Sequence, residues 1–93
     1  MPEPISNPID MTKVEAVRLH LKLRQSDMAV LFGVSRITYI RWTKGYQVRS
    51  GTQKIIRSRL RELLGIIRDG WPPPETMALR AEQRFAQLLA KLE

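Results

Sequence analysis

The chain has 93 residues, enough for one domain built around a single small hydrophobic core. It has no cysteine, one histidine and no run of 18 apolar residues, so we expect no disulfide, no metal or other cofactor, and no membrane span. The formal net charge of +7 favours a polyanionic partner, although a solvated basic face is the simpler alternative.

The N-terminal segment, residues 1–11, holds three of the six prolines and is predicted to be irregular. It lacks the basic and apolar regions of a signal peptide, so the expected location is the cytoplasm. The first helix is predicted to start at Thr12, because Thr12 and Glu15 match the T-x-x-E capping box. Its buried stripe is predicted to be Val14, Val17 and Leu21.

Two short helices joined by a tight turn are predicted next, spanning 25–44. The second helix covers 25–32 and ends at Gly33, which tolerates positive φ. Ser35 is predicted to cap the third helix, which covers 36–44. Together these form a helix-turn-helix. The predicted inner faces are Met28, Leu31 and Phe32 on the second helix, and Tyr39 and Trp42 on the third.

A long fourth helix is predicted over 52–69, with an amphipathic pattern. Gly65 inside it costs about 1 kcal/mol in helix propensity, which points to a neighbouring helix too close for a side chain. The helix-turn-helix domain is therefore predicted to cover 12–70. The apolar stripe of the fourth helix comprises Ile55, Ile56, Leu60, Leu63, Leu64 and Ile67.

The last segment, 71–93, is predicted to be a proline corner followed by a helix over 75–92. Its apolar stripe is longer than one small core requires, so the helix is the expected dimerisation element, with ordinary core packing as the alternative. The candidate dimer residues are Met77, Ala81, Phe85, Leu88, Leu89 and Leu92.

The charge is concentrated in the middle of the chain. Residues 1–33 have no net charge, residues 34–68 carry +8, and residues 69–93 carry −1. Arginine, which suits bidentate phosphate and guanine contacts, supplies most of this charge. The nine basic residues of the middle segment are Arg36, Arg41, Lys44, Arg49, Lys54, Arg57, Arg59, Arg61 and Arg68.

Residues 14–45 resemble the Cro/C1 repressor-like (XRE-type) helix-turn-helix family. The resemblance implies an all-α, five-helix, lambda-repressor-like DNA-binding domain. It also implies a homodimer on an inverted-repeat operator, acting as a repressor or phage-type regulator at the nucleoid of a bacterial host. The residues that carry the resemblance are Val17, Arg18, Leu23, Gln25, Met28, Ala29, Phe32, Gly33, Val34, Ser35, Arg36, Thr38, Trp42 and Gly45.

The chain departs from the family pattern in three places. Arg24 stands where the family has a capping serine or threonine, and its side chain cannot accept a hydrogen bond from the helix. Thr43 stands where the family often has glutamate. After Gly45, a long basic helix, a triproline corner and another long helix replace the shorter helices usual in the family, so the dimer geometry cannot be carried over.

In such a domain the third helix lies in the major groove and reads base edges. Its candidate base-reading residues are Arg36, Ile37, Ile40 and Arg41, with partial core burial as the alternative for the two isoleucines. Gln25 is a candidate phosphate contact by resemblance, or a simple surface residue. The full set of candidate phosphate contacts is Arg24, Gln25, Thr38, Thr43, Lys44, Tyr46 and Arg49.

Other function classes are less well supported. No nucleophile–base pair, glycine-rich phosphate loop or paired carboxylate predicts an enzyme. RNA binding is disfavoured because exposed aromatic arrays are not expected. A protein-interaction adaptor, or an antitoxin with a second surface for its toxin partner, is the main alternative, because Ile37 and Ile40 would form an apolar patch.

Overall fold

The computed structural model describes residues 9–92, so predictions for 1–8 and Glu93 lie outside it. Every regular element in the described range is helical, which confirms the all-α prediction. None of these helices is both long and apolar enough to cross a membrane. The helices are α1 (Met11–His20), α2 (Gln25–Phe32), α3 (Arg36–Thr43), α4 (Ser50–Arg68) and α5 (Ala81–Leu92), with a short 3-10 helix, Pro74–Ala78, before the last.

Helix α1 starts at Met11, one residue earlier than predicted, because Asp10 is its N-cap. The Asp10 carboxylate accepts a hydrogen bond from the Thr12 backbone N–H at 3.0 Å. Aspartate is at least as good a cap as threonine, and it precedes Thr12 by two residues. The predicted Thr12–Glu15 capping box is therefore wrong, and Glu15 is free to bond elsewhere.

Helices α2 and α3 form where the sequence predicts them, separated by a three-residue turn. Helix α2 has the predicted bounds, and Gly33 after it adopts a φ of 70°. The Ser35 hydroxyl accepts from the Thr38 backbone N–H at 3.1 Å, which confirms the cap of α3. Helix α3 ends at Thr43, one residue before the predicted end.

Three aromatic rings pack α3 against α2. The ring centroid of Phe32 lies 6.2 Å from that of Tyr39 and 6.5 Å from that of Trp42. These separations are typical of favourable aromatic contacts. All three side chains are buried, as predicted, so the rotation of α3 about its axis is fixed.

Helix α4 begins at Ser50, two residues before the predicted start, and buries a narrower stripe than predicted. Ile55 is 50% exposed and Leu64 is 36% exposed, so their assignment to the buried stripe is wrong. Only one side of the helix packs against α1 and α2, which leaves flanking positions in solvent. The predicted close approach at Gly65 is also wrong, because no atom lies within 4 Å of a β-carbon built there. The residues of α4 that pack are Ile56, Leu60, Leu63, Ile67 and Ile66, of which Ile66 was not predicted.

The chain after α4 does not form the single helix predicted over 75–92. The 3-10 helix ends at Ala78, Leu79 is extended, and α5 starts only at Ala81. The Arg80 backbone N–H donates to the Gln83 side chain at 3.1 Å, which supports a helix start at this point. Trp71 and Leu88 lie in the same core as the first three helices, so the C-terminal segment packs on the rest of the domain.

Candidate nucleic-acid interface

The outer face of α3 does not pack against the hydrophobic core. Tyr39 and Trp42 turn inward, and this orientation places Arg36, Ile37 and Arg41 on the opposite, exposed side. Ile37 is 63% exposed, a large value for an isoleucine on a folded domain. Ile40 is half-buried, between the two faces.

The two arginines on this face are not used within the fold. Among residues 9–92, neither the Arg36 side chain nor the Arg41 side chain takes part in a hydrogen bond or an ion pair. Their guanidinium groups therefore keep all their donors for a partner outside the chain. Arg59 of α4 differs, because its Nε donates to the Leu31 carbonyl oxygen at 3.2 Å and so holds α4 against α2.

A groove of about 380 Å³ runs between α3, the loop after it and the start of α4. It brings together four of the predicted DNA contacts, Thr38 and Arg41 of α3, Tyr46 of the loop, and Arg49. Arg49 at its edge is the N-cap of α4 and makes no side-chain capping bond. The residues lining the groove are Val34, Thr38, Arg41, Trp42, Tyr46, Gln47, Arg49 and Thr52.

Arg24, just before α2, is held by two carboxylates. Its Nε and Nη2 donate to Asp27 at 3.1 and 2.9 Å, and its Nη1 lies 3.9 Å from Glu82 Oε2. The hydrogen bond to Asp27 and the charge of that carboxylate raise the pKa of Arg24 above its ordinary value. Asp27 also accepts from the Arg24 backbone N–H at 2.9 Å, so this aspartate organises the start of α2. The sequence predictions missed Asp27.

Gln25, the first residue of α2, is bonded across to α1. Its Nε2 donates to Glu15 Oε1 at 3.0 Å, and the second carboxylate oxygen accepts from Arg18 Nε. The i, i+3 spacing of Glu15 and Arg18 is a readable signal for their ion pair. The bond to Gln25 could not be read from spacing, because it depends on how α1 and α2 pack.

The remaining predicted contacts lie at the two ends of α3. The Thr38 hydroxyl accepts from Ser35 Oγ at 2.9 Å. The Thr43 hydroxyl donates to the Ile40 carbonyl oxygen at 2.6 Å, which occupies its hydrogen. Lys44 and Tyr46 are exposed.

The residues predicted for a dimer interface differ in burial. Leu88 is fully buried in the core of its own protomer. Met77 is 45% exposed, and Ala81 is half-buried. The others, half-buried against the core, are Phe85, Leu89 and Leu92.

Tyr39 places one unusual polar atom behind the exposed face of α3. Its hydroxyl oxygen is buried and has no hydrogen-bond partner among the described residues. Burial raises the pKa of this hydroxyl well above its usual range, and the nearby Glu15 carboxylate adds to the effect. Tyr39 is therefore neutral over the whole physiological range.

Comparison of the chain with protein-family models, with curated proteins and with solved structures finds no match in any of the three.

Proposed function

We propose that the protein is a sequence-specific, double-stranded DNA-binding transcriptional regulator, a dimeric repressor of a phage or mobile-element operon, including its own. The observation that carries the proposal is the outer face of α3. It presents Arg36 and Arg41, both exposed and without a partner among the described residues, on a helix whose rotation the buried aromatic rings fix. A rigid helix with free arginines on its outer face is suited to reading base edges.

In this proposal α2, the turn and α3 act as a helix-turn-helix, with α3 in the major groove. Arg36 or Arg41 donates two hydrogen bonds to guanine O6 and N7, a contact worth about 1–3 kcal/mol of discrimination. Ile37, which is exposed, makes apolar contact with a thymine methyl group. Ile40 is half-buried, so its contact with a base is more limited.

The groove beside α3 is the proposed site for the sugar–phosphate backbone. Thr38, Tyr46 and Arg49 line this groove, although they come from a helix, a loop and a helix cap. Charged and hydroxyl donors on separate elements set the register of a protein along the duplex. Gln25 and Lys44 are further proposed phosphate contacts outside the groove. Arg24 contributes less, because Asp27 and Glu82 already hold its guanidinium.

The basic segment 34–68 adds long-range attraction. Its net charge of +8 is carried by α3, the following loop and α4. The arginines of α4 do not all reach one surface, and Arg59 is engaged with α2. The segment as a whole still raises the local potential and the rate of encounter with DNA.

The experiment that tests the proposal is selection of binding sites from a pool of random duplex DNA. We expect a defined sequence with two inverted half-sites about 34 Å apart, and a mass in solution of twice the protomer. Affinity for that sequence should fall steeply as salt rises from about 50 to about 200 mM, because bound phosphates release counterions. A pool that shows no enrichment under low salt would contradict the proposal.

A protein-interaction adaptor or antitoxin is the second candidate, favoured by the 63% exposure of Ile37. An exposed apolar residue on a free helix face is typical of a protein-binding patch. In that case a protein complex would persist at high salt. An Ile37→Ser variant would lose the complex but keep whatever affinity for DNA the arginines supply.

A further inference from the structure

We propose that Glu15 is a positioning residue for Gln25, fixing the carboxamide of Gln25 so that it presents a hydrogen-bond donor to a DNA phosphate; this inference rests on the proposed function. Gln25 Nε2 donates to Glu15 Oε1 at 3.0 Å, although the two residues lie on different helices. This bond is the only one to the Gln25 side chain within the described part of the chain.

The carboxylate of Glu15 is itself held in place. Its second oxygen accepts from Arg18 Nε, and Arg18 Nη1 donates to the Leu23 carbonyl oxygen at 3.0 Å. Leu23 lies in the short connection between α1 and α2. One chain of bonds therefore runs from this connection through Arg18 and Glu15 to the first residue of α2.

The bond settles which way the carboxamide points. A glutamine amide has two N–H donors and one acceptor oxygen, and rotation by half a turn exchanges them. With one N–H engaged by Glu15, the nitrogen end stays on the side of α1 and its second N–H remains available. The rotated amide would turn its oxygen toward the carboxylate, where two acceptors repel. Glu15 thus disfavours the rotated carboxamide, which would offer the phosphate no N–H donor. Because the Gln25 side chain is already ordered before DNA binds, it also loses less conformational entropy on binding.

Simple electrostatics predicts the opposite sign for Glu15. A carboxylate near a phosphate repels DNA, so removing it should strengthen binding. The adjacent Arg18 guanidinium offsets this repulsion through the ion pair. Loss of the positioning of Gln25 should weaken DNA binding, whereas loss of the negative charge should strengthen it. Substitution of Glu15 therefore distinguishes the two effects by the direction in which affinity changes.

The test compares Glu15→Ala, Glu15→Gln, Gln25→Ala and the double variant Glu15→Ala/Gln25→Ala, each titrated at fixed salt against the selected site. We expect Glu15→Ala to weaken binding by about three- to tenfold, the cost of ordering one free side chain. Glu15→Gln keeps an acceptor oxygen and should bind close to the unmodified protein. The double variant should bind no more weakly than Gln25→Ala alone, because both changes remove one interaction.

The matched control is Glu62→Ala. Glu62 also forms an ion pair with an arginine three residues away, Arg59. Unlike Glu15, Glu62 is exposed and has no hydrogen bond with a glutamine in the described range. Its removal should leave affinity unchanged or raise it. The positioning role would be overturned if Glu15→Ala bound DNA as tightly as Glu62→Ala. It would also be overturned if the affinity losses of Glu15→Ala and Gln25→Ala added in the double variant.

A second readout works without DNA and covers the case in which Glu15→Ala unfolds. The side-chain NH₂ protons of Gln25, followed by NMR, should exchange with water more slowly in the unmodified protein than in Glu15→Ala. If Glu15→Ala does not fold, Glu15→Leu, which also lacks an acceptor oxygen, replaces it, whereas Glu15→Gln should retain the slow exchange. Equal exchange rates in the unmodified protein and in a folded variant without an acceptor would refute the bond. Protection of Gln25 with no DNA bound by any variant would instead count against the proposed function alone.

Discussion

Arg36 and Arg41 have guanidinium donors that the described fold leaves unused, unlike Arg59, which is bonded to α2. We expect Arg36→Ala and Arg41→Ala each to cost about 1–3 kcal/mol in binding and to relax sequence preference at one base position. Lys44→Ala should weaken binding evenly across sequences, because a phosphate contact carries no base information. Titration of each variant against the selected site and its single-base variants measures this. Uniform losses for both arginines would place α3 outside the major groove.

The buried hydroxyl of Tyr39 makes the free energy of unfolding depend on pH under alkaline conditions. Its pKa is raised in the folded state above the ordinary value of 10.0. A raised pKa means that the fold prefers the neutral phenol, so the contribution is complete below about pH 10 and is lost as pH rises above it. The free energy of unfolding should fall by up to about 1.4 kcal/mol per pH unit from this group.

Tyr39→Phe should remove that part of the pH dependence, and Tyr46→Phe is the matched control because its hydroxyl is exposed. Urea unfolding at about pH 9, 10 and 11 gives the slopes. If the two phenylalanine variants share one slope, the buried hydroxyl does not control alkaline stability.

At the scale of elements, α4 contains a glycine that the fold does not need. Gly65 lies in the helix interior, and a β-carbon added to it would meet no atom within 4 Å. We expect Gly65→Ala to stabilise the protein by about 0.5–1 kcal/mol, because alanine lowers the entropy of the unfolded chain. Gly70 has equally open surroundings but a φ of +95°, so Gly70→Ala should destabilise by about 1–2 kcal/mol. Thermal unfolding of both variants measures the difference, and a loss of stability in Gly65→Ala would show a contact there.

The helices were predictable to different degrees, for physical reasons. The bounds of α2 and the start of α3 follow from residues with one strong preference, a glycine at positive φ and a serine cap. The start of α1 did not follow, because Asp10 and Thr12 compete for the same role. The start of α5 was misplaced because the residues from 75 onward favour helix locally, whereas packing buries Thr76 and ends the first turn at Ala78.

The candidate interface also combines features that follow from local sequence with features that depend on packing. The exposed and buried faces of α3 follow from helical spacing and two aromatic residues. The bond from Glu15 to Gln25 and the pairing of Arg24 with Glu82 join residues far apart in sequence. Such contacts depend on how whole helices pack, which no local pattern specifies.

For the whole molecule, the core reaches from α1 to α5, and this limits which surfaces remain for a second copy. Leu88 is fully buried against its own protomer, so it cannot also form an interface. Met77 lies on the same C-terminal segment but is 45% exposed, beside a groove lined by His20, Lys22 and Trp71. Among the predicted dimer residues, it is therefore the clearest available point of contact.

We expect Leu88→Ala to lower the free energy of unfolding of the protomer by about 2–5 kcal/mol, through the cavity it leaves. Met77→Asp should leave protomer stability almost unchanged but weaken dimerisation, because a charge in an apolar contact loses its hydration. Leu19→Asp is the matched control, since Leu19 is 58% exposed on α1 and outside the predicted dimer surface. Sedimentation over a range of protein concentrations, with unfolding curves at each, separates the two effects. If Met77→Asp dimerises as strongly as Leu19→Asp, the C-terminal segment serves only to complete the core.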